Sequence, residues 1–354
     1  MNPTSPAETS AVAATAATDG STAATVGSED PRIGEVSEGR VLRTILARTP
    51  AGRDTLLGPG DDAAVIAAPS GAVVATTDTL VEGPDFRVAW SSGYDLGWKA
   101  AAVNLADIAA MGARPTALLV ALAMPKDLRL SFVSSLADGF RDACDALAPG
   151  CAVVGGDLTV SVTLMIAVTA LGDLEGRSAV TRAGARVGDE VAIAGEMGYA
   201  AWGLSVLFDR FHPDGAAVPV DPAVLGEGEA DAIAAQLRPV PPIGLGPVAA
   251  IAGATAMMDV SDGLALDAGR MAEASRVTIA LEQAALGAHP RRALAGGEDH
   301  ALLATFPAGA LPPGFRRIGS VVPAVDGAPV LYDGEPVGPL GWDPYRDAGA
   351  DVDR

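Results

Sequence analysis

The chain has 354 residues, with 44 Asp and Glu against 24 Lys and Arg, a formal net charge of −20 at pH 7. That balance excludes nucleic acid as the expected partner, because binding a phosphate backbone depends on surplus Lys and Arg, and a polyanionic substrate must bring cations with it. The longest charge-free stretch, 239–258, opens with prolines and is interrupted by glycines, unlike a membrane span, so a cytoplasmic protein with no membrane partner is expected.

The length suits two domains with buried cores. Residues 1–31 are rich in Ala, Thr and Ser and read as a disordered tail. An αβ domain is expected over 32–175. Its first helix spans Glu38 to Leu46, and strands follow at Asp62 to Val65 and Gly71 to Thr76 around a Pro-Ser-Gly turn. Ser91 or Ser92 suits the cap of a long helix that stops at Gly112, with Pro115 beyond it. A strand over Thr116 to Ala123, a helix over Leu130 to Leu147, a strand from Cys151 to Val154 and another from Val160 to Leu171 complete this part. Cys144 and Cys151 have neither metal-ligand spacing nor a disulfide framework around them and read as core thiols.

A second αβ domain is expected over 176–354, with a strand at Val191 to Ala194 and a helix at Ala200 to Phe208. A strand at Ala256 to Val260 leads to Ser261, read as the N-cap of a helix reaching Ser275. Strand, polar turn and helix together favour an anion. A last strand, Ala301 to Phe306, follows Gly296-Gly-Glu-Asp299. The fold class is therefore mixed α/β, two αβ domains each with a sheet packed against helices.

Carboxylates recur beside apolar runs or small turn residues: Asp61 and Asp62, Asp78, Asp107, Asp157, Asp259 and Asp262. At about 4 Å and an effective dielectric near 20, each pair of like charges would cost roughly 4 kcal/mol. Hard divalent cations offset that repulsion, and Mg²⁺ shared between carboxylates and substrate phosphates is the commonest such arrangement. Asp107 is the most telling member, since an aspartate inside an Ala- and Leu-rich helix needs compensation if its face is buried. No Gly-x4-Gly-Lys-Ser/Thr loop is present, which leaves metal, arginine and backbone NH groups to hold any ATP.

Taken in order, Gly58-Pro-Gly-Asp-Asp62, Thr76-Thr-Asp-Thr-Leu-Val-Glu-Gly83, Lys99-Ala-Ala-Ala-Val-Asn-Leu-Ala-Asp107, Val154-Gly-Gly-Asp157, Thr181-Arg-Ala-Gly184, Asp259-Val-Ser-Asp-Gly-Leu264, Gly296-Gly-Glu-Asp299 and Trp342-Asp-Pro-Tyr345 resemble the thiamine-monophosphate kinase family, within the aminoimidazole ribonucleotide synthetase superfamily. The resemblance implies that superfamily's two-domain arrangement, a homodimer built through the N-terminal domains, and ATP-dependent phosphorylation of thiamine monophosphate with several Mg²⁺ ions. By motif position it implies metal at Asp62, Thr76, Thr77, Asp78, Asp107, Asp157, Asp259 and Asp262. It implies ATP at Gly156, Asp157, Arg182 and Ser261, and the thiamine part at Glu298 and Trp342. No covalent or acid/base catalytic residue is expected, because the acceptor phosphate is already ionised and such transfers depend on positioning and charge neutralisation. One position departs from the family pattern: Asp85 in Gly83-Pro-Asp-Phe86 stands where Gly-x-His-Phe is usual, and a carboxylate there cannot donate to a substrate phosphate.

Overall fold

A computed structural model describes residues 30–59 and 63–342. Asp61 and Asp62, the tail as far as residue 29, and the Asp-Pro-Tyr following Trp342 lie outside the described residues. In chain order, helix α1 (Glu38–Leu46) is followed by the short strands β1 (Thr55–Leu57) and β2 (Val65–Ile66), then by β3 (Val74–Val81). Helix α2 (Gly93–Ala110), β4 (Arg114–Met124), α3 (Leu130–Leu147), β5 (Ala152–Val160) and β6 (Met165–Asp173) complete the first half.

The second half runs β7 (Glu190–Ala194), α4 (Tyr199–Phe211), α5 (Glu229–Leu237), α6 (Leu245–Ile251), β8 (Ala256–Val260) and α7 (Leu264–Ser275). Then come β9 (Thr278–Leu281), α8 (Pro290–Ala295), β10 (Ala301–Phe306), β11 (Arg316–Val322), β12 (Val330–Tyr332) and β13 (Glu335–Pro336).

Two larger sheets organise these elements, and both are mixed. The four-stranded sheet has the order β3-β6-β4-β5, antiparallel except for β4 with β5. The seven-stranded sheet has the order β13-β12-β9-β11-β7-β10-β8, in which β12 and β9 run parallel. The expected α/β class is thus observed.

Helix α2 forms where the sequence places it because Ser92 and Asp95 cap each other. Asp95 N donates to Ser92 Oγ at 3.2 Å, and Ser92 N donates to Asp95 Oδ2 at 2.9 Å. This satisfies two of the NH groups a helix start leaves free. Leu96, Leu105 and Ile108 bury their side chains with Val133 and Phe140 of α3 and Leu118, Ile166 and Val168 of the sheet. The two helices approach so closely that a Cβ on Gly97 would lie 2.0 Å from Leu136 O. In the second half, Leu264 and Met271 of α7 pack with Ile193, Leu303 and Ile318 of the larger sheet. Both cysteines are free and buried, as expected of core thiols.

Three local expectations are corrected. Strand β5 does not end at Val154: it continues through Gly155-Gly-Asp157 to Val160, because Gly155, Gly156 and Asp157 pair with Leu119, Val120 and Ala121 of β4. A Cβ on Gly156 would lie 1.9 Å from Val120 O, so close strand approach accounts for this glycine. The expected strand from Val160 starts only at Met165 for the same reason. Ser261 is not the cap of α7. Gly263 holds the N-cap position, and Asp267, from inside the first turn, accepts from Asp262 N at 3.1 Å and Gly263 N at 3.3 Å.

Candidate functional site

Side chains alternate along β3, so Thr76 and Asp78 face α2 while Thr77 faces the other way. Thr76 Oγ1 donates to Asp107 Oδ2 at 2.7 Å. Asn104, three residues before Asp107, accepts from Asp78 N at 3.1 Å through Oδ1 and donates to Ala100 O at 2.9 Å through Nδ2. These contacts fasten the two carboxylate-bearing elements to each other.

The end of β8 brings Asp259 to the same region, with its Oδ2 3.0 Å from His300 Nδ1. Burial, reinforced by the charges of Asp259 and Asp78, pushes the Asp107 carboxyl up to about 7. Asp78 is also raised, by burial first, with Asp259 and Asp262 adding to the effect and His300 opposing it. Burial works against a charged His300, but the hydrogen bond and charge of Asp259 outweigh it and raise the imidazole above its ordinary range. The charge of Asp259 thus reaches both Asp78 and Asp107, and that of Asp78 reaches Asp107. Among the described residues, no three His, Cys, Asp or Glu side chains stand close enough together to ligate a single ion. The donors are nonetheless oxygen carboxylates with unfavourable mutual charge, which is the chemistry that suits Mg²⁺.

The turn after β8 carries the next residues. Arg270 Nη1 lies 2.6 Å from both Asp262 Oδ2 and Asp267 Oδ1. Burial pushes Asp267, whose side chain is fully enclosed, up to about 6. Ser261 O accepts from Glu298 N at 2.9 Å, and Asp262 O accepts from Trp342 N at 2.9 Å. The two residues expected at the thiamine part thus hang from neighbouring carbonyls of one turn, with Trp342 half exposed.

Three consecutive residues then take three tasks. Glu298 meets Lys99, Asp299 accepts from Tyr199 N at 3.0 Å and Ala200 N at 2.8 Å to cap α4, and His300 meets Asp259. Glu298 and His300 have φ of +69° and +53°. Side chains rarely adopt that left-handed region, and residues held there concentrate at functional sites. Asp85 is exposed and accepts from Val81 N at 2.7 Å. Although the residue is exposed, desolvation by the protein around its carboxyl raises it, as does the nearby charge of Glu298, against the hydrogen bond from Val81 and the charge of Lys99.

Other expected residues stand apart. Thr77 donates to Val168 O at 2.9 Å on the outer side of the four-stranded sheet. Register puts Asp157 on that same side at the opposite edge strand, since Thr77 pairs with Thr169, Thr169 with Leu119, and Ala121, two residues on, with Asp157. Arg182 is exposed, and its carbonyl accepts from Ser275 Oγ at 3.1 Å. It therefore lies at the end of α7 remote from Ser261, about 16 Å along the helix at 1.5 Å per residue.

The residues that sequence reasoning did not place in the site are His300, Gln236 and Lys99. Lys99 and Lys126 are the only lysines of the chain, and Lys99 lies within an apolar helix, a signal of the same kind that marked Asp107. Gln236 carried no such signal.

Residues 60–174 match the family model described as AIR synthase related protein, N-terminal domain. The thiamine-monophosphate kinase of Mycobacterium tuberculosis is 39% identical over 334 residues, covering 90% of this chain and 94% of that protein. A crystal structure of thiamine-monophosphate kinase from Stenotrophomonas maltophilia K279a superposes with a TM-score of 0.67 at 34% identity, covering 84% of this chain and 96% of that one. A structure of AaThiL complexed with AMPPCP and TMP gives a TM-score of 0.67 at 32% identity, covering 88% and 98% respectively. On this likeness across nearly the whole length, the chain belongs to the thiamine-monophosphate kinase family.

Proposed function

We propose that this protein transfers the γ-phosphoryl group of ATP to thiamine monophosphate, forming thiamine diphosphate. The observation that carries the reading is the convergence of Asp78, Asp107 and Asp259 from three elements into a partly buried region, where Asp259 raises the charging cost of both Asp78 and Asp107 and Asp78 adds to that of Asp107. Family membership and the AaThiL complex with AMPPCP and TMP support the substrates.

Several Mg²⁺ ions would be held by Asp62, Thr76, Asp78, Asp107, Asp259 and Asp262, with Thr77 and Asp157 holding metal separately on the outer face of the four-stranded sheet, and would supply neutralisation of the phosphate charges. Thr76 fixes one oxygen of Asp107, Asn104 fixes the backbone at Asp78, and Arg270 fixes one oxygen of Asp262. Gly156, Asp157, Arg182 and Ser261 would contact ATP. Asp85, Glu298 and Trp342 would contact the thiamine part, where the indole face of Trp342 attracts a cationic ring. The acceptor phosphate is already ionised, so transfer is direct and in line, with no phosphoenzyme and no acid or base residue.

We further assign two domains, 32–175 and 176–354, and a homodimer through the first. Exposed Leu119 and Met165 on the outer side of the four-stranded sheet support a second copy as the cover for that face. Among the described residues no helix is long and apolar enough to cross a membrane, and the cytoplasm remains the proposed location.

The test is thiamine diphosphate formation from thiamine monophosphate and ATP, with Mg²⁺ and after its chelation. Product only in the presence of the metal is expected; a folded protein that makes none in either condition overturns the proposal.

A further inference from the structure

Lys99 is 4% exposed within the largely apolar helix α2. A buried ammonium persists only where charge and hydrogen bonds offset its desolvation. Its Nζ meets Glu298 Oε2 and donates to Gln236 O at 3.2 Å. Gln236 Nε2 donates at 2.9 Å to the same Glu298 oxygen. Two donors from two helices thus converge on Oε2. Among the described residues Glu298 Oε1 has no hydrogen-bond partner, and the Glu298 side chain is 40% exposed.

The orientation of Gln236 is informative. This residue is buried, and its Oε1 has no partner. Leaving a buried acceptor unpaired costs about 1–3 kcal/mol in general, so the amide is turned for the benefit of Glu298, which can only accept. The charged groups facing Glu298 are Lys99, His300 and Asp85. Lys99 has the largest lowering influence on the Glu298 carboxyl, which stays below its ordinary range although burial opposes this. Lys99 and Asp107 lie eight residues apart on α2, about 12 Å at 1.5 Å per residue. One rigid helix therefore spaces the carboxylate region from Glu298.

We propose that Lys99 and Gln236 are positioning residues of the substrate site: they clamp one oxygen of Glu298 and present the other to an N–H donor of the substrate's aminopyrimidine. Helix α2 sets the distance between that contact and the phosphate end. The inference rests on the kinase reading above, and adds to it the device that holds Glu298 ionised and aimed.

The experiment is steady-state kinetics on the full chain with Mg²⁺, with thermal unfolding as the check on folding. Lys99→Met is expected to raise KM for thiamine monophosphate at least about tenfold, equivalent to about 1.4 kcal/mol, with KM for ATP unchanged within about twofold. In a Glu298→Gln background, Lys99→Met should add less than about a twofold further rise, because Lys99 acts through Glu298, and Lys99→Arg should restore part of the loss. A folded Lys99→Met with unchanged KM, or effects of the two substitutions that simply multiply, overturns the inference. If Lys99→Met does not fold, Gln236→Met decides: a rise of about threefold or more in the same KM is expected from one lost hydrogen bond, and no rise overturns it. Absence of turnover in the unmutated protein counts against the kinase reading. Calorimetric binding of thiamine then tests the clamp separately, and both absence of binding and equal binding by Lys99→Met overturn it.

Discussion

Thr76 Oγ1 donates a 2.7 Å hydrogen bond to Asp107 Oδ2, joining the middle of β3 to the last turns of α2. The bond holds one carboxylate oxygen and fixes the rotamer of a group that would otherwise turn away from Asp78 and Asp259. Asp107→Asn keeps the shape and removes the charge. It is expected to lose at least about 100-fold in kcat/KM, or about 2.7 kcal/mol of transition-state stabilisation, while the metal-free protein melts no lower than the unmutated one. Near-normal turnover at limiting Mg²⁺ would remove Asp107 from the metal set.

The raised carboxyls also set a pH dependence. Asp107 is pushed up to about 7 and Asp267 up to about 6. Folding therefore tightens their hold on protons, and the stability this contributes is full below the unfolded carboxylate range. It is lost as pH rises through about 6 and 7. Metal-free protein should melt at a lower temperature at pH 8 than at pH 5.5, and added Mg²⁺ should raise the melting temperature more at pH 8, where the carboxylates are free to bind it. Equal Mg²⁺ shifts at both pH values would contradict this.

His300 stands 3.0 Å from Asp259 in a buried setting with φ of +53°. Asparagine tolerates that backbone region, so His300→Asn isolates the loss of the ring. Breaking a buried charged pair costs about 3–5 kcal/mol. A fall in unfolding free energy toward that range, measured with urea, is expected; a change below about 0.5 kcal/mol, the scale of surface substitutions, would show that the pair is not formed.

Asp85 sits under the negative charge of Glu298. Replacing it with the residue usual in the family removes that repulsion and supplies a donor. Asp85→His should keep kcat/KM for thiamine monophosphate or raise it, and a loss of about tenfold, 1.36 kcal/mol, would mean that Asp85 has a role of its own.

The α2–α3 contact makes a structural prediction. A Cβ on Gly97 would lie 2.0 Å from Leu136 O, and backbone cannot yield as a flexible side chain does. Gly97→Ala should destabilise by about 1–3 kcal/mol, the usual cost of overpacking, despite the better helix propensity of alanine. A stability gain in urea unfolding would refute the close packing.

Much of the fold is legible in the sequence. Helices α1 and α3 and strands β8 and β10 follow the expected bounds because their apolar spacing is strong, with Pro149 and Pro307 stopping the chain soon after α3 and β10. The course of β5 through Gly155-Gly-Asp157 is not legible locally, since glycines signal a turn and only pairing with β4 carries the strand through them. Ser261 has the chemistry of a cap, but Asp267, six residues on, takes the free NH groups of Asp262 and Gly263 instead.

The sequence by itself determined the element types, the mixed α/β class and the presence of acidic motifs in a family-specific order, because each is written in local spacing and residue chemistry. It also marked Asp107, since a lone aspartate in an apolar helix is visible without a structure. Only the tertiary structure decided which motifs meet: Asp78, Asp107 and Asp259 on one side, Thr77 and Asp157 on the other face of the sheet, and Lys99, Gln236 and Glu298 joined across the chain. The physical reason is that strand register and helix packing fix the face and direction of every side chain, and both are set by residues far apart in sequence.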